Sequence, residues 1–258
     1  MQGKLSGMTQ SIREAFRLQA QYCKAAGSAQ TAEIVAALGD ILDHRTRTGA
    51  RILDWVGDPI VDALPLRIAG GLHALARSGK EDLLTRYYTV RDLEAHPVLR
   101  QVIEKWDDWL YPWLDGPPQT NEVARAGALW PAMLEIARRF GPDMEWIEIG
   151  TSAGLNLNMD RFGYRLGETV SGDSLSAVQI SPKWTGESPV PAAVNVCDRV
   201  GIDLNPLDPT DPVIVDRMLA YIWPDQPERM ARAEAAIRVA QANPPPIVKG
   251  DATALLAP

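Results

Sequence analysis

The stretch Met144-Glu145-Trp146-Ile147-Glu148-Ile149-Gly150-Thr151-Ser152-Ala153-Gly154 passes from an apolar strand pattern into a run of small residues. Trp146, Ile147 and Ile149 are strand formers, and the residues after them are too small and too rich in glycine to continue a strand. Leu155 to Phe162 follow with the spacing of a helix. The turn between strand and helix admits two chemical readings. Gly150, Ser152 and Gly154 spell G-x-S-x-G, which would make Ser152 the nucleophile of a hydrolase elbow. The same residues fit a cofactor loop, in which glycines let the backbone approach a ligand lying over a helix N-terminus.

A serine elbow needs a histidine base and a carboxylate, which follow the serine in the hydrolase fold that owns this motif. No histidine follows His96; His44, His73 and His96 all precede Ser152. A triad is defined by geometry and not by chain order, so the hydrolase stays as a third reading. The cofactor reading gains support further along the chain. A ligand lying across the carboxyl ends of parallel strands meets each strand end in turn, and here each expected strand closes on a carboxylate: Glu148, Asp203 and Asp251. A carboxylate after the second strand suits ribose hydroxyls, and one after the third suits an exocyclic amine. Taken singly, Asp203 and Asp251 are equally turn formers or helix caps.

Outward from the turn, residues 163 to 191 are rich in Gly, Ser and Pro and read as a loop or hairpin insertion. A second strand is expected near Ala193 to Leu204, a helix after Asp211-Pro212 with the aspartate as cap, and another from Glu228 to about Ala242. Ile247 to Asp251 is a short third strand. Alternating strand and helix predict a parallel, doubly wound sheet. Asp203, Asp208 and Asp211 fit turns and a cap better than a metal site, and none is expected.

Toward the N-terminus the chain reads as helix after helix. Ile12, Phe16, Ala20 and Cys23 share a face, as do Ile34, Leu38, Ile41 and Leu42, then Ile68, Leu72 and Leu75, then Val98, Val102, Ile103, Trp106, Trp109 and Leu110. A further helix from about Asn121 ends at Gly141-Pro142, with Pro131 expected to kink or restart it. Thr120 is expected to cap that helix, with Glu122 in its first turn. The organisation expected is a helical region over 1–143 and a Rossmann-like cofactor-binding domain over 144–258.

The 258 residues carry a formal net charge of -7, with the acidic excess in the second half. That opposes nucleic-acid binding, which needs an excess of Lys and Arg on the contact face. No apolar run approaches the ~20 residues of a membrane helix, the first ten residues lack the apolar core of a signal peptide, and Cys23 and Cys197 stand far apart. A cytoplasmic protein with a small-molecule substrate is expected, without nucleic-acid or membrane partners.

At Glu148-Ile-Gly-Thr-Ser-Ala-Gly154, Gly201-Ile-Asp203 and Gly250-Asp251-Ala252 the chain resembles class I S-adenosylmethionine-dependent methyltransferases. More narrowly it resembles a bacterial family catalogued as a domain of unknown function, numbered 2332. The residues carrying this are Gln119-Thr-Asn-Glu-Val123, Glu148 to Asn156, Asp160-Arg161, Tyr164, Gly201-Ile-Asp-Leu-Asn-Pro-Leu-Asp208 and Trp223-Pro-Asp-Gln-Pro-Glu-Arg229, spread over most of the chain from about Phe16. The resemblance implies a Rossmann-like methyltransferase-type sheet, S-adenosylmethionine as cofactor, and methyl transfer to an unidentified small molecule. It implies that Glu148, Gly150 and Gly154 frame the methionine end, Asp203 the ribose and Asp251 the adenine, with Thr151, Ser152 and Asn156 also in the cofactor site and Asn121, Glu122 and Trp223 as candidates on the substrate side. Asp160 and Arg161 are expected to form an ion pair bracing the helix after the loop.

Two departures stand out. Ser152 occupies the position of the usual central glycine, and insertions at 163–191 and 206–227 lengthen the gaps between the strand ends. A sheet of this type also needs strands after the third, so the domain is expected to be truncated at Pro258. Otherwise the helical half or a partner, such as a second copy in a homo-oligomer, would cover the open edge. A non-catalytic module that keeps a cofactor-like loop is the alternative function.

Overall fold

A computed structural model describes residues 2–256. Contacts divide the chain into two compact units, one of residues 1–119 with 216–227, the other of residues 120–215 with 228–258. The change from helix to strand falls near the expected boundary at 143/144, but the grouping by contact runs otherwise. Residues 120–143 pack with the sheet, and the segment 216–227 returns to the helices.

The helical unit contains α1 (Gln2–Ala25), α2 (Ala29–Ile41), α3 (Arg47–Leu53), α4 (Leu64–Arg77), α5 (Asp82–Thr89), α6 (Ala95–Lys105), α7 (Asp107–Leu110) and a 3-10 turn, Tyr111–Asp115. The stripes expected from the sequence supply much of its core, with Phe16, Leu38, Ile68, Leu72 and Leu75 fully buried; Ile52, Leu64, Leu84 and Leu99 join them, while Trp106 and Trp109 are only partly buried against it. α2 starts where Ser28 accepts from the Thr31 N–H, and Asp225 completes the cap by accepting from Ser28 Oγ and from the Gln30 N–H at 3.0 Å. That contact draws 216–227 onto the helices, since the first N–H groups of a helix need acceptors from outside it.

The sheet unit contains a 3-10 turn (Val123–Arg125), α8 (Ala126–Phe140), β1 (Asp143–Ile149), a second 3-10 turn (Leu155–Arg161), β2 (Gly163–Leu166), β3 (Thr169–Gly172), β4 (Gln179–Ile180) and β5 (Asn195–Asp203). α9 (Pro212–Ala220) carries the chain into the helical unit; α10 (Pro227–Ala242), β6 (Ile247–Lys249) and α11 (Ala252–Leu255) complete the sheet unit. The principal sheet is parallel throughout, in the order β1-β5-β6, with Ile147 opposite Val200 and Ile202 opposite Val248. A smaller sheet, β3-β2-β4, fills the expected insertion, with β2 antiparallel to β3 and parallel to β4.

β1 alternates strictly between half-buried and exposed residues. Trp146 lies under the Arg199 guanidinium at 5.6 Å, whereas Ile147 and Ile149 on the other face are 54% and 64% exposed. The buried face is the one overlaid by the loop, because a side chain at Gly201 would run into Thr151 and Leu157.

Three local expectations are corrected. Leu155 to Phe162 is not an α-helix but a 3-10 turn ending at Arg161, broken at Asn158 (φ -97°, ψ 19°). Asn156 and Asn158 turn their amides to the carbonyls of Glu122 and Asn243, and local polar side chains of this kind compete with helix. α8 begins at Ala126 and runs on through Pro131 to Phe140, so the proline does not restart it. Glu122, not Thr120, is the cap there, accepting from the Ala124 N–H at 3.0 Å at the start of the 3-10 turn. No helix among the described residues is long and apolar enough to cross a membrane.

Candidate functional site

The loop after β1 is built from three left-handed residues, Gly150 (φ 69°), Ser152 (φ 56°) and Gly154 (φ 67°). Each is fixed by a different partner. The Gly150 N–H donates to the Ile202 carbonyl at 2.8 Å, tying the end of β1 to the end of β5. The Ser152 N–H donates to Asp203 Oδ2 at 2.7 Å, and the Asn205 N–H donates to Asp203 Oδ1 at 2.8 Å. Gly154 presses on the approach to β6, where a Cβ would stand 2.7 Å from Pro245 Cγ. The loop is therefore laid over the carboxyl ends of β1 and β5 and against the start of β6.

Asp203 is thus the brace of the loop. Both of its oxygens already accept a backbone N–H, and each keeps one further lone pair for a ligand. Glu148 accepts from Thr151 Oγ1 at 2.7 Å. Burial raises its carboxyl above the usual carboxylate range and the nearby charge of Asp203 adds to this, while Thr151 and Arg125 act the other way. A half-buried carboxylate held at the end of a strand of the parallel sheet, with its pKa displaced by burial, is the kind of group that functional sites concentrate.

The substrate-side candidates divide. Asn121 Oδ1 accepts from the Leu155 N–H at 2.8 Å, and Asn156 Nδ2 donates to the Glu122 carbonyl at 3.2 Å, so this segment clasps the loop from outside. Glu122 is also paired with Arg229 at 2.6 Å and lies 3.7 Å from Arg232. Trp223 belongs to the helical unit. Its carbonyl accepts from the Gln226 N–H at 3.0 Å in the turn that presents Asp225 to α2. Asp251 is exposed and caps α11, its Oδ1 accepting from the Thr253 N–H at 2.9 Å and hydroxyl at 2.8 Å, which lowers its pKa.

Two atoms at the loop are enclosed and without a partner: Ser152 Oγ and Asn156 Oδ1. Their residues are 7% and 2% exposed. Buried polar atoms are nearly always satisfied, so each exception calls for an explanation, and a ligand is one. No base touches Ser152 Oγ, and the sheet unit contains no histidine. In the helical unit His44 faces Asp54, His96 faces Asp40, and His73 is buried against the Ala220 carbonyl. Among the described residues, no group of three or more His, Cys, Asp or Glu side chains is placed to hold a metal ion.

Some of the loop's supports have no signal in sequence spacing. Arg199 makes a two-pronged ion pair with Asp160, at 2.6 and 2.8 Å, and donates to the Leu157 carbonyl. The expected pairing of Asp160 with Arg161 is thereby replaced. Adjacent residues on a 3-10 turn point apart, while Arg199 on the buried face of β5 reaches the carboxylate directly.

The fold and the loop define a mixed α/β protein with a parallel three-stranded sheet. The family model described as "Uncharacterized protein conserved in bacteria (DUF2332)" matches residues 13–258, and the chain belongs to that family. No curated protein and no solved structure matches it.

Proposed function

We propose that the sheet unit is a Rossmann-like domain of the methyltransferase type, that it binds S-adenosylmethionine, and that it transfers the methyl group to a small molecule. The observation that carries this reading is the loop over the carboxyl ends of β1 and β5, pressed on the start of β6. It ties the two carboxyl ends, at Glu148 and Asp203, and it encloses Ser152 Oγ and Asn156 Oδ1 without partners.

The donor and acceptor set suits such a cofactor in part. Glu148 and Asn156 Oδ1 supply acceptors where an ammonium group would be recognised, and the second lone pairs of Asp203 remain for hydroxyls. Asp251, turned to capping α11, is the weakest member of the set. When bound, S-adenosylmethionine supplies an electrophilic methyl on a sulfonium. The chain's own part is to hold the acceptor in line with that methyl and to exclude water, which is where orientation supplies rate.

The engagement of Asp203 and Asp251 in the protein's own caps favours a second reading, a non-catalytic module that keeps the loop and a ligand. Calorimetric titration with S-adenosylmethionine and with its demethylated product tests both. Binding of either supports the cofactor site, and methyl release from labelled cofactor in a bacterial extract separates enzyme from module. Absence of heat with both at about millimolar concentration, some -4 kcal/mol of affinity, overturns the reading.

A further inference from the structure

The helical unit carries two arginines, Arg67 and Arg217, that form no ion pair among the described residues. Arg67 on α4 is 6% exposed, yet its Nε and Nη1 donate only to backbone carbonyls, Asp62 at 2.7 Å and Leu114 at 2.8 Å. Arg217 on α9 lies 4.7 Å over the Trp113 ring and 5.8 Å from that of Tyr221. Among the described residues neither guanidinium forms an ion pair. Their neighbour Arg51 is already committed, to Asp115 at 2.7 Å. Burying a cation without a counter-ion is costly, and proteins ordinarily pair it.

All three guanidinium groups are gathered on the segment Tyr111–Gly116. Arg51 reaches the Tyr111 carbonyl and Asp115, Arg67 reaches the Leu114 carbonyl, and Arg217 Nη2 stands 3.9 Å from where a Cβ on Gly116 would lie. The nearby carboxylates are few. Asp62 accepts from Trp55 Nε1 at 2.8 Å and its charge acts on Arg67 without forming an ion pair, Asp115 holds Arg51, and Asp216 faces Arg77 at 3.6 Å.

An independent feature marks the same place. Tyr221 is 7% exposed and its hydroxyl is enclosed without a partner in good hydrogen-bond geometry. Its ring is locked against Gly70, where a Cβ would meet it at 2.4 Å, and makes an edge contact with Trp113 at 5.6 Å. Burial raises the pKa of the hydroxyl, while the charges of Arg217 and Arg67 lower it, Arg217 also through a loose side-chain hydrogen bond in which the phenolic oxygen can only accept. A guanidinium offers N–H donors and no acceptor, so among the described residues the phenolic proton meets no acceptor. Two guanidinium groups without an ion pair among the described residues and one hydroxyl without an acceptor lack the same thing, an oxygen that carries negative charge at hydrogen-bonding distance.

We propose that Arg67, Arg217 and Tyr221 form a binding site for a small oxyanion, the phosphate or carboxylate group of a metabolite. The guanidinium groups donate charge-assisted hydrogen bonds, Tyr221 donates a third, and Trp113 holds Arg217 in place from the side. This site is independent of the loop after β1.

Titration of the full chain at low salt, with inorganic phosphate followed by phosphorus NMR line width and with succinate followed by calorimetry, tests it. Saturable binding of phosphate alone or of succinate alone supports the site and identifies the oxyanion. Tyr221→Phe keeps the ring against Gly70 and removes only the hydroxyl, and Arg217→Gln changes a half-exposed residue, so both should leave the helical unit folded. Each should weaken binding by about tenfold, the size of one hydrogen bond to a charged group; Arg138→Gln, on the surface of α8, should not change it. No saturable binding of either anion up to about 10 mM, a concentration at which even a very weak site fills, overturns the proposal. So does equal binding by wild type and Arg217→Gln.

Discussion

Replacing Ser152 by glycine should make the protein more stable. Ser152 is held at φ 56° by the Asp203 carboxylate on its N–H and by the Leu207 N–H on its carbonyl. A residue with a Cβ pays about 1–2 kcal/mol for that conformation, and glycine pays almost nothing. The hydroxyl adds to the cost, since Ser152 Oγ is enclosed without a partner and such an atom loses about 1 kcal/mol or more of hydration. Against this stand the greater freedom of glycine in the unfolded chain, roughly 0.5–1 kcal/mol, and the packing of the lost side chain. The balance is a gain of about 1 kcal/mol, or roughly 2–4 °C in melting temperature for a chain of this size. Thermal and urea unfolding of wild type, Ser152→Gly and Ser152→Ala measure it. Alanine sheds the hydroxyl and keeps the left-handed cost, so it should fall between the other two. A Ser152→Gly protein destabilised by about 1 kcal/mol or more would refute the reasoning, because the hydroxyl would then be making a favourable contact. Strain kept at a loop over strand ends is the pattern of a site that trades stability for binding.

Gly154→Ala should cost about 2–4 kcal/mol, since it adds both the left-handed penalty and a Cβ at 2.7 Å from Pro245; a loss under about 1 kcal/mol in urea unfolding would show that the loop is not pressed on β6. Asp203→Asn leaves one acceptor oxygen for the two N–H groups of Ser152 and Asn205, and hydrogen exchange at one of those amides should quicken by about tenfold or more, with unchanged rates counting against the brace. His73 is neutral in the fold because burial takes its pKa from 6.5 down to about 4. The unfolded chain therefore takes up this proton first as pH falls, and stability present in full above pH 6.5 is lost between there and pH 4, by about 3 kcal/mol. Urea midpoints of wild type and His73→Asn between pH 7 and 4.5 should diverge accordingly, and parallel curves would refute the assignment.

Much of the fold is legible in the sequence, because its elements rest on local patterns. The stripe Ile12-Phe16-Ala20-Cys23, the cap Asp211 before Pro212, and the strand patterns around Trp146, Val200 and Val248 each declare their element within a few residues. The failures arise where distant partners decide. Leu155 to Phe162 has helical spacing, but its asparagines are drawn to Glu122 and Asn243, residues that no local window relates to them. Asp160 has Arg161 as its neighbour in sequence, while its partner is Arg199, brought in by the pairing of β1 with β5. The candidate loop was legible as a run of small residues, and so were its strand-end carboxylates. What sequence could not tell is how they are used, since an aspartate that braces a loop and one that waits for a ligand are spelled alike.

The central claim is that the loop over β1, β5 and β6 holds S-adenosylmethionine. Its most direct test is calorimetric titration of wild type and Glu148→Ala with that cofactor. The account predicts saturable binding at or below the millimolar range by wild type and a loss of about tenfold or more on removing the half-buried carboxylate. No heat with wild type, or equal affinity in the two proteins, would contradict it.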